Sequence, residues 1–211
     1  PPEGRRHVTR ARVDEAALAL VDDTGVLERT VRAVSSALEG DPSAPYHYVP
    51  NMSALLGGLG GRACSAVSVA ELYFDGDPSK QLVGAFCHVY DGLVRHPNVL
   101  PLVATRSVAT PQSLALAERA LELLGRRTSL SPAASLQLVN TLAALTIGRA
   151  LAEAAPTAGE QSMEDVLRLA RAFPLLAEAT QTPPDTSQAT LRRALQGIVA
   201  AWGIPSPATE P

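Results

Sequence analysis

The sequence predicts an all-α fold. Apolar residues recur at helical spacing along most of the 211 residues. No segment of useful length alternates apolar and polar side chains with period two. Thr-Pro, Ser-Pro and glycine punctuation marks the ends of the periodic runs.

Thr9 is the natural cap of a first helix from about Arg10 to Asp23, with Val13, Ala16, Ala17, Leu20 and Val21 on its apolar face and Gly25 as its stop. Val31, Val34, Ala37 and Leu38 give a second helix, and a further one starts near Ser53. That helix is crowded by Gly57, Gly58, Gly60 and Gly61, each costing about 1 kcal/mol relative to alanine. "FDGDPSK" (74–80) reads as a turn or linker. "KQLVGAFCHVYDGLVRH" reads as an amphipathic helix stopped by Pro97. "TPQSLALAERALELLGRR" starts on Thr110 with Pro111 in the favoured first position and is expected to stop at Gly125. "SPAASLQLVNTLAALTIGRALAEAA" repeats the Ser-Pro start and is apolar on nearly every side, which requires burial against several neighbours or a second chain. A loop is expected at 156–163, short helices over 164–172 and near Leu175, a break at Pro183-Pro184, and a last helix from Ser187 to Trp202.

Composition narrows the classes. The 46% hydrophobic and 18% charged content is that of a globular protein, and no run of about 18 apolar residues predicts a membrane span. The first residues carry arginines without an apolar signal core, so no export signal is expected; a cytoplasmic location is expected from the cysteine usage. Cys64 and Cys87 lack metal-ligand spacing and read as buried reduced thiols. Net charge is −3, Lys80 is the single lysine, and the 4% aromatic content gives little material for a base-stacking platform. There is no metal-ligand cluster, Gly-rich phosphate loop or G-x-S-x-G elbow, so no cofactor and no metal are expected.

In order and spacing, "VTRARVDEAALALVDDTG", "RTVRAVSSAL", "DPSAPYHYVPNMSALL", "LVRHPNVLPLVATRS" and "SLSPAASLQLVNTLAALTIGRALAE" resemble the TetR family of regulators along nearly the whole chain. The resemblance implies an N-terminal three-helix, helix-turn-helix-like domain (1–66) and a larger helical ligand-binding and dimerisation domain (67–211). It also implies a homodimer built on helices 131–155 and 187–202, a small-molecule ligand, and double-stranded DNA as a partner.

Arg32, Ser43, Tyr46, His47, Tyr48 and Asn51 are the DNA-contacting candidates that the resemblance implies. Several positions depart from the family's pattern. Glu39 stands where the tight turn usually has glycine, and Gly40 follows. Pro45 falls inside the expected reading helix, where a proline removes a hydrogen bond unless it lies in the first turn. Met52 replaces a common phosphate-binding lysine. From Val26 to Leu56, Arg29 and Arg32 face Glu28, Glu39 and Asp41, a net charge of −1. Phosphate neutralisation supplies most of non-specific DNA affinity, so this head is expected to bind weakly or atypically. Arg5, Arg6, Arg10 and Arg12 offer a basic arm for a minor groove.

For the body, the ligand candidates are His88, Leu102, Thr105, Arg119, Asn140 and Thr141. The asparagine and histidine that hold drug and magnesium in the tetracycline-repressor branch fall near Ala85 and Leu102, so that chemistry is not implied. Thr105 and Arg106 resemble the branch's "TR" pair, and Arg119 suits an anionic or carbonyl-bearing ligand. Asp91 with Arg95, and Arg149 with Glu153, have the spacing of surface helix pairs. Two functions stand side by side: a ligand-responsive regulator with weak DNA binding, or a repurposed relative that binds or transforms a small molecule.

Overall fold

The computed structural model describes residues 9–24, 77–105, 111–154, 168–169, 171–179, 181 and 185–204. Every described element is helical. In chain order these are α1 (Arg10–Thr24), α2 (Pro78–Arg95), a single 3₁₀ turn (Pro97–Val99), α3 (Leu100–Thr105), α4 (Pro111–Arg127), α5 (Pro132–Ala154), α6 (Pro174–Ala179) and α7 (Ser187–Ala201). The expected helices near Val31 and Ser53, Gly25, Cys64, the 156–163 loop and the Pro183-Pro184 break lie outside the described residues.

Local chemistry sets the boundaries. Thr9 starts α1 as expected, its hydroxyl accepting from the Arg12 amide at 3.4 Å and its carbonyl from Val13 at 3.1 Å. The end of the expected linker is instead a helix start. Asp77 caps α2 by accepting from the Lys80 amide at 3.0 Å, and Pro78 takes the first turn, where a missing N–H costs nothing. Ser131 does the same for α5, accepting from Ala134 at 3.2 Å, and Thr186 for α7, accepting from Ala189 at 3.2 Å. α4 runs through Gly125 to Arg127, past the expected stop, and the Thr128 hydroxyl then caps the Leu124 carbonyl at 2.7 Å. Just beyond α7, Gly203, with φ of +74°, turns Ile204 back into the core.

One apolar core joins the pieces. α2 contributes Leu82, Val83, Cys87, Tyr90 and Leu93; α4 contributes Ala120, Leu123 and Leu124; α5 contributes Leu138, Leu142 and Ala150; α7 contributes Leu191, Leu195 and Val199. Val13, Ala17 and Val21 of α1 belong to the same cluster, so the first helix packs on the body. Among the described residues no helix is long and apolar enough to cross a membrane.

α1 is also fastened by polar groups. The Asn98 amide donates to the carbonyls of Val21 and Asp22, both at 3.1 Å, satisfying acceptors that the end of α1 leaves without intrahelical partners. His96 Nδ1 lies 2.7 Å from the Asp22 carboxylate and donates to it. His96 marks the end of α2, as the sequence predicts, and the clasp to α1 is an additional role. His96→Leu with Asn98→Ala should loosen α1 without melting the body. Each lost hydrogen bond is worth about 1 kcal/mol, or roughly fivefold in local opening. Amide exchange of residues 13–22 should therefore accelerate while that of the α2 core stays slow. Equal acceleration of both would show that the clasp does not act locally.

Candidate functional site

Two surfaces of the body carry features that core packing alone does not require. The first is a polar knot where the C-terminal ends of α2 and α5 meet the N-terminus of α7. The buried Tyr90 donates its hydroxyl to Glu153, and Arg149 Nη2 donates to the Ser187 hydroxyl at 2.9 Å. Gln188 donates to both Asp91 carboxylate oxygens at 2.9 Å. Neither expected surface pair has the anticipated form. Arg95 donates through Nε to the Asp91 carbonyl at 3.0 Å, leaving the Asp91 carboxylate turned to α7. Arg149 and Glu153 likewise turn to partners on other helices.

The knot moves two titrations. Burial, with the Glu153 hydrogen bond second, pushes the Tyr90 hydroxyl up to about 12. The Tyr90 hydrogen bond, with Ser187 second, holds Glu153 below its ordinary 4.5. Nearby, burial raises the Cys87 thiol, which favours its neutral form within the core.

The second surface is the outward side of α5 and α7. On α5, Ser135, Leu138, Leu142, Thr146 and Ala150 point into the core, while Leu136, Gln137, Asn140, Thr141, Ala144 and Gly148 are exposed. On α7, Leu191, Leu195 and Val199 point inward, while Thr190, Ala194, Gly197 and Ala201 form an exposed stripe. A Cβ added at Gly148 or Gly197 meets nothing within 4 Å. Neither mid-helix glycine is required by contacts among the described residues, although each costs about 1 kcal/mol relative to alanine.

The sequence-derived candidates distribute unevenly over these surfaces. Arg32, Ser43, Tyr46, His47, Tyr48 and Asn51 lie outside the described residues. His88 is exposed on α2. Leu102 and Thr105 lie on α3, just after the clasp that holds α1. Arg119 is half-buried on α4 and pairs with Glu122 at 3.1 Å. Asn140 and Thr141 share the exposed side of α5, and the Thr141 hydroxyl donates to the Gln137 carbonyl at 2.8 Å. Gly148 is exposed on the same helix. Among the described residues no group of three or more His, Cys, Asp or Glu is placed to hold a metal ion.

Sequence reasoning missed the clasp and the knot. His96 and Asn98 lie 74 to 77 residues from their partners, and no local spacing announces such a contact.

The family described as "Tetracyclin repressor-like, C-terminal domain" matches residues 75–200. No curated protein matches the chain by sequence. Among solved structures, a putative transcriptional regulator from Streptomyces coelicolor A3(2) is 19% identical, with a TM-score of 0.71 over 96% of this chain and 100% of that one. Apo ActR from Streptomyces coelicolor is 19% identical, with a TM-score of 0.72 over 93% of this chain and 97% of its own. A TetR variant from Acinetobacter baumannii AYE, in complex with minocycline, is 18% identical, with a TM-score of 0.70 over 97% of this chain and 98% of its own. At such identities the likeness establishes the fold.

Tyr90→Phe tests the knot through pH. The Tyr90 contribution is complete below its ordinary value of 10 and lost as pH rises from 10 through about 12. The Glu153 contribution is complete above 4.5 and lost as pH falls through its depressed range. The variant should therefore have a flatter melting temperature against pH at both ends. An unchanged profile would place the pH sensitivity elsewhere.

Proposed function

The chain belongs to the tetracyclin repressor-like family, and from that premise we propose that it is a homodimeric, small-molecule-responsive transcriptional regulator whose head binds DNA weakly or atypically. The observation that carries this reading is the clasp. His96 and Asn98 sit on the corner leading into α3, which carries Leu102 and Thr105, and they grip the end of α1 at Asp22 and Val21. A ligand that favours one placement of α3 would then bias the placement of α1 with it. The two heads of a dimer would separate or approach, and their reading helices would gain or lose the spacing of successive major grooves.

The ligand site is assigned to the body, with Leu102, Thr105, Arg119 and His88 as its candidates. A neighbour of the same fold from Acinetobacter baumannii is in complex with minocycline, which supports a small-molecule ligand, although that ligand's chemistry is not carried over. Asn140 and Thr141 are reassigned to the seam between two chains, because they share the exposed side of α5 with Ala144 and Gly148. The seam is proposed to pair α5 and α7 with their copies. Glycine at 148 and 197 suits close helix approach there, with no competing contact among the described residues.

The repurposed alternative, in which the chain has lost operator binding and binds or transforms a small molecule, draws on the net −1 charge of residues 26–56, Pro45 and Met52. A titration of the full chain against genomic DNA fragments at moderate salt separates the two. Specific retention with a steep salt slope is expected for the regulator; no retention in any ligand state would overturn it. A separate outcome concerns the seam. Gly148→Gln with Gly197→Gln should leave each chain folded, since both side chains enter open space, yet shift sedimentation from dimer to monomer. A double variant that stays fully dimeric would remove α5 and α7 from the interface.

A further inference from the structure

The last turn of α2 is gripped from two sides. On one side Tyr90 donates to Glu153 of α5, and Gln188 of α7 donates to both Asp91 carboxylate oxygens at 2.9 Å. On the other, His96 and Asn98 hold Asp22 and Val21 of α1. The backbone between the two grips has little slack. Arg95 Nε donates to the Asp91 carbonyl, the His96 amide to the Leu93 carbonyl and the Val99 amide to the His96 carbonyl, each at 3.0 Å. Leu93, Val99 and Leu100 are fully buried at this corner, so it cannot bend without disturbing the core.

Neither grip is fully satisfied. Among the described residues, the buried side-chain polar atoms without a hydrogen-bond partner are Asp22 Oδ1, Gln81 Oε1, Ser135 Oγ and Arg149 Nε. Asp22 belongs to the clasp on α1, and Arg149 belongs to the knot that joins α5 to α7. A buried carboxylate oxygen or guanidinium N–H without a partner keeps its desolvation cost. Each grip is therefore weaker than its hydrogen bonds alone would make it, and a small displacement at one can be felt at the other. The stiff corner between them is what carries the displacement.

We infer that the last turn of α2 is a mechanical coupler, with Gln188 and Glu153 as positioning residues for α1. Their hydrogen bonds go to α2 and to Ser187, and they act on α1 through Asp91 and Tyr90, the groups they hold. Gln188 lies in the first turn of α7, so the placement of that turn is transmitted to α1 without passing through α3. The use of this coupling as a second input to the head, besides a ligand at α3, rests on the regulator reading above. The coupling itself does not.

The test is Gln188→Leu in the full chain, read by amide exchange helix by helix. Exchange of residues 13–22 should accelerate by about threefold or more, while the α4 core around Leu123 and Leu124 stays at its original rate. The same change is then made in the His96→Leu, Asn98→Ala background. With the clasp already open, Gln188→Leu should add nothing to the exchange of α1. A merely structural glutamine would quicken only the ends it joins, residues 88–95 and 187–191, and leave 13–22 unchanged. That result, or equal acceleration of α1 in both backgrounds, overturns the coupler. Should Gln188→Leu speed every helix alike, Asp91→Asn weakens the same contact more gently, and the coupler stands only if α1 then responds through the clasp. Absence of DNA retention with the coupling intact would strike the regulator reading alone.

Discussion

The burial of α5 is the constraint on which the other features rest. Twenty-three residues, Pro132 to Ala154, make a helix that is apolar on most sides, and one chain covers only part of it. α2, α4 and α7 take the side with Leu138, Leu142 and Ala150. Once that side is occupied, the opposite one must be tolerable in water or be covered by something else. The residues on it, Gln137, Asn140, Thr141, Ala144 and Gly148, are small or polar enough for the first and flat enough for the second. Ends matter as much as faces here. The polar knot at Tyr90, Glu153, Arg149 and Ser187 fixes where α5 stops and α7 begins, so both exposed faces start from one defined junction. Charge favours the same arrangement, since a carboxylate at Glu153 lies beside the positive end of the α7 dipole.

Much of the fold was legible because helix starts are local chemistry. Thr9 before Arg10 and Ser131 before Pro132 place a side-chain acceptor three residues ahead of an orphan amide, and such patterns are visible in any sequence. The boundaries that differed failed for equally local reasons. Asp77-Pro78 is at once a turn signal and a helix start, and only the periodicity that follows decides between them. Gly125 was a plausible stop, yet an exposed glycine within a helix costs only about 1 kcal/mol, and the buried Leu123 and Leu124 beside it secure the helix.

The candidate site was less legible because its partners are distant in sequence. Arg149 and Glu153 have the spacing of a surface pair, but that spacing carries no information about Tyr90 or Ser187 arriving from other helices. A buried hydroxyl and a helix N-terminus outcompete a solvent-exposed pair worth a few tenths of a kcal/mol. Asn140 and Thr141 show the opposite difficulty. A polar residue on an apolar helix signals a cavity, a satisfied core group or a second chain with equal force in the sequence. Their exposure together with that of Gly148 supports assigning them to the proposed seam.

In the regulator reading, a weak head would increase the importance of the body. There, the net −1 charge of residues 26–56 would leave little phosphate neutralisation per head, and one head alone would gain little from counterion release. Two weak heads held at a fixed separation behave differently, because binding of the first places the second at a high effective concentration. That gain exists only while the linkage between the heads is stiff and long-lived. Stiffness would require that α1 move with the body, and the His96 and Asn98 clasp ties the end of α1 to it. Long life would require that the two bodies stay together. In the regulator reading, a head with few phosphate contacts therefore demands a firmer dimer than a strongly basic head would.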